Sequence, residues 1–269
     1  MIFKFPWQKS TTENTFFLSY DSHRDNFGDI LNPIIAKEFS ENKDVKKISK
    51  RKSSYFEHYY IIGSILQRCN KNTIVWGSGI ISEDSVIKEK PKKVLAVRGP
   101  LTRKKLLEFG IECPEVYGDP ALLLPRFHNP KNIARKFELG IIPHYRDKKN
   151  KELLKFLKRN PGIKVIDVQN KNPLKVVDEI LECKNIISSS LHGIIVADAY
   201  NIPSVWINFS DKVVGNGFKF RDYFASVGRT EKSPYDFNEI KDLDNLLDLF
   251  KEDYTINIDL DKLVAAFPN

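Results

Sequence analysis

Cysteine is scarce in this sequence, and this scarcity limits the kinds of site the chain can build. The 269 residues include three cysteines, Cys69, Cys113 and Cys183, which are far apart and odd in number. This spacing argues against a disulfide framework and against a CxxC metal site, so we expect three reduced, buried thiols. No cluster of His, Cys, Asp and Glu has metal-ligand spacing either, and the sequence therefore predicts no required metal.

Long apolar runs are also lacking. No run reaches the roughly 18 residues that a membrane-spanning helix needs. The first residues, MIFKFPWQKSTTEN, have no apolar stretch followed by a small-residue cleavage site, so we expect no signal peptide. A cytoplasmic protein is the expectation that follows.

Basic residues outnumber acidic ones, 43 against 35, which gives a formal net charge of +8. The densest clusters run from Lys43 to Lys52 and from Thr102 to Lys105. A solvated basic face would account for them. A phosphorylated substrate, or peripheral contact with the acidic inner face of the cell membrane through Lys46, Lys47, Lys50, Arg51 and the start MIFKFPW, are the alternatives. No nucleic-acid-binding motif is present, so none is predicted.

Short β-branched runs alternate with segments of helical period along the chain, a pattern typical of βαβ units around parallel sheets. We predict an α/β protein with two Rossmann-like domains facing a cleft. The domains are residues 1–130 and 131–250, and a tail, residues 251–269, crosses back to the first domain. The polar, proline-containing stretch LPRFHNPKNIARKFE lies at the predicted boundary.

Glycine and polar residues follow many of the predicted strands. One such stretch, ISSSLHGIIVADAYN, places His192 at the start of a predicted helix, with serines before it and Gly193 after it. Ligands of open α/β sheets bind beyond the carboxyl ends of the strands, where helix N-termini offer free N–H groups. These strand ends therefore predict a lined cleft, although a buried histidine with capping serines would show the same local pattern.

The set NFGDILNP, VWGSGI, VRGPLTRKKLLEFGI, YGDPALLLP, IPHYRD, SSSLHGIIVADAYNIPSVWI and FKFRDYFASVGR, in this order, resembles the polysaccharide pyruvyl transferase family. The resemblance implies a fold similar to the GT-B glycosyltransferases. It also implies transfer of a carboxyethylidene (pyruvyl ketal) group from phosphoenolpyruvate to two hydroxyls of a sugar in an exopolysaccharide, a capsule or their lipid-linked precursors. Two departures stand out: Ser190 occupies a position where many members have arginine, and the glycine turn after the third strand is reduced to Gly63-Ser64.

This chemistry assigns roles to individual residues. Histidine suits proton transfer near neutral pH, which makes His192 the candidate general acid/base, and Asp29 and Arg98 are the other candidate catalytic residues. The donor has a carboxylate and a phosphate, so we expect it to bind an arginine and helix N-termini. The candidate donor ligands are Arg98, Ser189, Ser190, His192, Gly193, Lys219 and Arg221, and the candidate acceptor ligands are Asn26, Asp119, His144 and Trp76.

A purely structural role stays open for several of these residues. Arg98 would equally fit a surface ion pair, Asp119 a helix cap, and Trp76 the core. Two rival functions also remain. A GT-B glycosyltransferase would use a nucleotide sugar and an acidic residue such as Glu179 or Glu182 to hold the ribose. A non-catalytic anion-binding or membrane-surface protein would need neither substrate.

Overall fold

Two parallel sheets of five strands organise the molecule, and the computed structural model describes residues 14–21, 26–250 and 255–267. The first sheet has the order β2-β1-β3-β4-β5, with β1 (Thr15–Leu18), β2 (Asp44–Lys47), β3 (His58–Tyr60), β4 (Thr73–Trp76) and β5 (Lys93–Ala96). The second has the order β10-β9-β8-β6-β7, with β6 (Phe137–Ile142), β7 (Lys164–Val165), β8 (Cys183–Ser188), β9 (Ser204–Asn208) and β10 (Tyr235–Asp236). The predicted α/β class with parallel sheets is confirmed.

The α-helices of the described residues are α1 (Phe27–Phe39), α2 (Lys50–Ser53), α3 (Pro100–Glu108), α4 (Lys151–Arg159), α5 (Pro173–Leu181), α6 (Leu191–Ala199), α7 (Phe218–Ser226), α8 (Leu243–Leu247) and α9 (Leu260–Ala265). Two elements differ from the sequence pattern. PEVYGD is not a strand, since only Tyr117 forms a bridge, to Val97. Strand β2 lies within the basic cluster, where no apolar alternation indicates it, because its residues are mostly exposed.

Both sheets share one topology. Counted within each sheet, the strand order is 2-1-3-4-5. The second strand lies on one side of the first, and the third, fourth and fifth follow on its other side, so the order of strands reverses between the first and the third strand. Ligands of such sheets bind beyond the carboxyl ends of the strands at this switch point. The switch points here are the β1/β3 pair, which ends at Leu18 and Tyr60, and the β6/β8 pair, which ends at Ile142 and Ser188.

Helix α1 contains a proline that its neighbour makes tolerable. Pro33 has no N–H to donate to the carbonyl of Asp29 one turn earlier, which should weaken the helix. The side-chain amide of Asn32 donates to that carbonyl at 3.0 Å instead. The same amide group donates to Ile62 O at 3.1 Å, and Asn32 Oδ1 accepts from Ile62 N at 3.0 Å. Asn32 thus fixes the first turns of α1 against the segment that follows β3.

The apolar core is continuous between the two sheets. One cluster of buried side chains includes Leu31 of α1, Val176 of α5 and Ile194 of α6. The C-terminal segment joins this cluster near the first sheet, where Trp76 Nε1 donates to Leu263 O at 2.9 Å and Phe267 packs on Trp76. The boundaries near residues 130 and 250 stay predictions. Residues 251–254 and 268–269 of the proposed tail, and the start MIFKFPW, lie outside the described residues.

Candidate functional site

The two switch points border one cavity of about 400 Å³. Its walls come from the segments that follow β1 and β3 in the first sheet and β6 and β8 in the second, together with the first turn of α7. Six of the residues singled out from the sequence line it: Asn26, Asp29, His144, Ser190, His192 and Lys219. Residues far apart in the chain are therefore brought together at the place that the strand-end pattern indicates.

Two helices begin at this cavity. Asn26 precedes α1 and Ser190 precedes α6, and neither side chain caps its own helix. The first N–H groups of an α-helix have no partner within the helix, and they carry a partial positive charge. The arrangement favours an anion, because two helix N-termini face the same small volume.

His192 is held between Gly28 and Asp119. Its Nε2 atom lies 3.5 Å from Asp119 Oδ2, while the other carboxylate oxygen of Asp119 accepts from Ala121 N at 3.0 Å. On its other side the imidazole packs on α1, where a methyl group built on Gly28 would lie 2.0 Å from His192 Nδ1. Only glycine fits this contact. The carboxylate favours the tautomer with the proton on Nε2, which leaves the Nδ1 lone pair on the side of α1.

Unsatisfied polar atoms are concentrated at this pair. In the described part of the chain, the buried side-chain nitrogens and oxygens without a hydrogen-bond partner are Gln67 Oε1, Asp119 Oδ2 and His192 Nε2. Gln67 and His192 line the cavity, and Asp119 lies directly behind His192. Folded proteins pair nearly all such atoms, so this grouping marks a place where the structure holds polar groups for a purpose other than stability.

The pKa values of two ionisable groups in the cavity, Asp29 and Lys219, are shifted in opposite directions. Burial raises the pKa of the Asp29 carboxyl, against the hydrogen bond that Asn26 Nδ2 donates at 3.0 Å and the nearby charges of His192 and Lys219. Burial, together with the positive charges of Arg98 and Arg146, lowers the pKa of Lys219 to about 8, against the Asp29 carboxylate, which raises it. Perturbed groups of this kind are typical of sites where proton transfer or ion binding takes place.

Ser189 supports the site rather than lining it. Its hydroxyl accepts from His144 N at 2.8 Å and donates to Asp147 Oδ2 at 2.7 Å. Ser210 also donates to the buried Asp147, at 2.5 Å. The network ties the segment that follows β6 to the segment that follows β8 and so fixes His144 at the cavity. Gly193 lies behind the cavity, where a methyl group on it would meet Ser188 Oγ at 2.5 Å.

Arg98 is not in the cavity wall, in contrast to its predicted role as a donor ligand. It is 1% exposed, and its Nε and Nη2 atoms bind Asp222 Oδ2 at 3.0 and 2.9 Å. The remaining Nη1 donates to Ser64 Oγ at 2.6 Å, and Nη2 also donates to Ile80 O. Every nitrogen of the guanidinium therefore has a protein partner, and Arg98 approaches the cavity only through Ser64.

Asp222, on α7, also binds the start of α3. Its carboxylate accepts from Thr102 N at 2.8 Å and from Thr102 Oγ1 at 2.6 Å, so it caps α3 from another part of the chain. A methyl group on Gly99 would lie 1.9 Å from Asp222 O, which shows how closely α7 approaches. The VRGPLT and FRDY stretches are thus two halves of one structural contact.

Two further predicted ligands lie elsewhere. Trp76 is fully buried and has no surface to offer a sugar, because it packs in the core that the first sheet shares with the C-terminal segment. Arg221 donates to Asn216 O at 2.8 Å and lines a separate hollow of about 450 Å³. For Asp119, the predicted acceptor contact is replaced by its position behind His192.

The sequence reasoning missed several cavity residues. Arg146 lines the cavity and donates to Lys212 O at 3.0 Å. It follows His144 in IPHYRD, so the strand-end rule could have found it. Arg68 and Gln67 come from a 3₁₀ turn, Leu66–Arg68, for which no motif gave a signal. Arg68, Arg146 and Lys219 are cationic side chains that line the same cavity as Ser190, where the family pattern has arginine.

Other features of the described residues carry no chemistry of this kind. The three cysteines are free and buried, as expected, and burial raises the pKa of each thiol to about 12. Within the described ranges no three His, Cys, Asp or Glu side chains converge as metal ligands, and no helix there has the length and apolar character to cross a membrane. Metal independence stays a prediction.

Comparison with known proteins gives one family and two relatives. A family model described as polysaccharide pyruvyl transferase matches residues 17–211. The uncharacterized protein L143 of Acanthamoeba polyphaga mimivirus is 32% identical over 221 residues, which cover 81% of this chain and 76% of the viral protein. The succinoglycan biosynthesis protein ExoV of Rhizobium meliloti (strain 1021) is 26% identical over 176 residues, 63% of this chain and 53% of ExoV. The family match ends before α7, so the resemblance of FKFRDYFASVGR stays a prediction.

Proposed function

This chain belongs to the polysaccharide pyruvyl transferase family, and from that premise we propose that it transfers a carboxyethylidene group from phosphoenolpyruvate to two hydroxyls of a sugar. The observation that carries the proposal is the pairing, in one cavity, of an anion-binding wall with a buried histidine whose ring nitrogen faces an aspartate. The anion-binding wall suits a donor that carries both a phosphate and a carboxylate. The histidine beside an aspartate suits an addition reaction that moves protons.

The donor would bind between the two helix N-termini. Its phosphate and carboxylate would accept hydrogen bonds from the first N–H groups of α1 and α6, and Lys219 and Arg146 would supply positive charge. Many family members have arginine at the position of Ser190, and we propose that Arg146 supplies the missing positive charge here. Arg98 contributes indirectly in this scheme, because its hydrogen bond holds Ser64 at the cavity wall.

The reaction needs one proton acceptor and one proton donor. A sugar hydroxyl adds to C2 of the enol and loses its proton, while C3 gains a proton and becomes a methyl group. A second hydroxyl then displaces the phosphate at C2, and its proton passes to the departing phosphate, which gives the ketal and inorganic phosphate. We assign the first proton transfer to the imidazole of His192, with Asp119 stabilising the imidazolium that forms. We assign the proton delivered to C3 to Asp29, a carboxyl of the cavity wall whose pKa is raised by burial.

The rival glycosyltransferase reading has less support in this structure. Glu179 and Glu182, the candidates for gripping a ribose, bind Lys164 at 3.7 and 3.3 Å. Glu182 comes directly before β8 and Lys164 begins β7. These residues therefore lie at the amino ends of the second sheet, away from the carboxyl ends where ligands of such sheets bind.

The acceptor and the cellular location are proposed in less detail than the donor. The family implies a polysaccharide acceptor, and we propose a sugar of an exopolysaccharide, a capsule or a lipid-linked precursor. A cytoplasmic enzyme with peripheral contact at the inner membrane face is consistent with this acceptor, and we keep both as proposals. No metal or other cofactor is part of the scheme, in which phosphoenolpyruvate is a substrate.

Thermal stabilisation by candidate donors tests the proposal. Phosphoenolpyruvate at about 100 times its dissociation constant stabilises the folded state by about 2.7 kcal/mol, which for this size is a rise of several degrees in Tm. We expect this rise for the wild type and for the control Lys175→Ala, an exposed lysine on α5, and its loss in Lys219→Ala. A rise with UDP-glucose, UDP-galactose or GDP-mannose but not with phosphoenolpyruvate would overturn the proposal in favour of a glycosyltransferase.

A further inference from the structure

A second and larger hollow adjoins the cavity. This groove has a volume of about 960 Å³ and lies beyond the carboxyl ends of β1, β2 and β3. The groove and the cavity share part of their walls: Asp21, Ile65, Gln67 and Arg68 line both. A molecule that occupies the groove can therefore extend into the cavity where His192 lies.

The groove is basic. Lys47, Lys50, Arg68 and Lys88 line it, against the carboxylates of Asp21 and Glu89. Glu89 Oε1 accepts from Lys71 N at 3.1 Å, which occupies part of that carboxylate. Among the residues the structure describes, no carboxylate forms an ion pair with Lys50, Arg68 or Lys88. Within the described ranges, these three groove-lining cations are therefore open to an anionic ligand.

The groove also has groups that suit a carbohydrate. Lys47 Nζ lies 4.8 Å from the centre of the Tyr20 ring, and both residues line the wall. Gln67 is anchored by the bond from its Nε2 to Ser64 O at 3.1 Å, and its Oε1 is one of the buried oxygens without a donor. An acceptor of this kind, at the junction of groove and cavity, would be satisfied by a hydroxyl. Aromatic rings and amides beside cations are the groups that bind sugars and their acidic substituents.

We infer that this groove binds the acceptor glycan and that the glycan is anionic, carrying a phosphate or a carboxylate near the sugar that receives the ketal. The role of this glycan as the acceptor rests on the proposed function, whereas the binding of an anionic glycan does not. The cations line a concave wall that continues into the cavity, and this shape favours a substrate chain over a flat membrane surface. The basic cluster noted in the sequence contributes two of them, Lys47 and Lys50.

Binding of three matched glycans to the full chain tests the inference. The probes are neutral maltotetraose, maltotetraose 1-phosphate and tetragalacturonate, and the dissociation constants are measured by calorimetry with and without phosphoenolpyruvate. We expect one or both charged glycans to bind at least tenfold more tightly than the neutral one, and the one that does identifies phosphate or carboxylate as the recognised group. In Lys50→Gln/Lys88→Gln this preference should fall by roughly three- to tenfold, about 0.7 to 1.4 kcal/mol in total, because two exposed ion pairs are lost.

Matched controls separate the outcomes. Lys158→Gln/Lys175→Gln removes two exposed lysines from α4 and α5 and should leave the preference unchanged. Equal binding of charged and neutral glycans, or equal losses in the two double variants, overturns the inference. So does a Lys50→Gln/Lys88→Gln variant that loses binding to phosphatidylglycerol vesicles while it keeps the glycan preference, because the cations would then serve a membrane. If the wild type binds the charged glycan but not phosphoenolpyruvate, the groove stands and the proposed reaction fails.

Discussion

Two buried contacts between a basic side chain and a carboxylate differ in how completely their polar atoms are satisfied. In the pair of Arg98 and Asp222, all three guanidinium nitrogens and both carboxylate oxygens have protein partners. In the pair of His192 and Asp119, the facing atoms lie 3.5 Å apart and have no hydrogen-bond partner. The saturated pair joins α7 to α3 and holds the fold, whereas the unsaturated pair is available for chemistry. Charge and burial alone did not distinguish them.

The largest effect is expected from breaking the saturated pair. Arg98→Met leaves the Asp222 carboxylate buried without its cation, and such losses cost about 3 to 5 kcal/mol. Urea unfolding should show this, while Lys155→Met, which removes an exposed pair with Glu152, should change the free energy of unfolding by less than about 1 kcal/mol. The double variant Arg98→Met/Asp222→Asn, which removes the buried charge and keeps an acceptor for Thr102 N, should recover part of the loss. A single variant as stable as the wild type would contradict the structural role.

Removing the imidazole of the unsaturated pair should affect the reaction and spare the fold. His192→Ala should lower kcat for phosphate release by about 10² to 10⁴-fold, the range for a general acid or base, with binding of phosphoenolpyruvate retained. The chain offers a matched control in His128, which binds Asp178 at 2.8 Å outside the cavity. His128→Ala should keep wild-type kcat. Equal kcat values for the two variants would show that His192 does not transfer protons.

The contact of His192 with α1 gives a subtler way to disturb the same pair. In Gly28→Ala the new methyl group would overlap His192 Nδ1, so the ring must move, and a displacement of about 1 Å can cost about 10² in rate. The comparison is Gly162→Ala, where no atom lies within 4 Å of the added methyl group. Kinetics of phosphate release measure both. Full activity in Gly28→Ala would mean that the position of the imidazole does not matter.

The smallest expected effect is a pH dependence. Lys219 is charged below its pKa of about 8 and neutral above it, so the attraction for an anionic donor is present at pH 7 and lost as the pH rises. We expect kcat/KM to fall by about tenfold per pH unit above that pKa. Lys219→Arg, which stays charged, should remove this alkaline limb, and Lys175→Arg should not. An unchanged profile in Lys219→Arg would assign the limb to another group.

Much of the second sheet was predictable because its residues follow the expected periods closely. The helix beginning at Leu191 lies where the pattern puts it, and six of the predicted site residues line the cavity. The failures have physical causes. Strand β2 is exposed and basic, so it lacks the apolar signal, and the 3₁₀ turn with Gln67 and Arg68 is set by packing rather than by local preference.

The sequence by itself determined the α/β class, the positions of most strands and helices, and the placing of polar residues at strand ends, because these depend on local periodicity and turn chemistry. Only the tertiary structure decided the partners. Arg98 meets Asp222 across 124 positions, and His192 of α6 meets Asp119, which caps a 3₁₀ turn earlier in the chain, so no local pattern could tell which pair has all its partners. Whether a buried polar atom has a partner depends on which elements pack beside it. That property separates the residues that hold this protein together from those we propose to react.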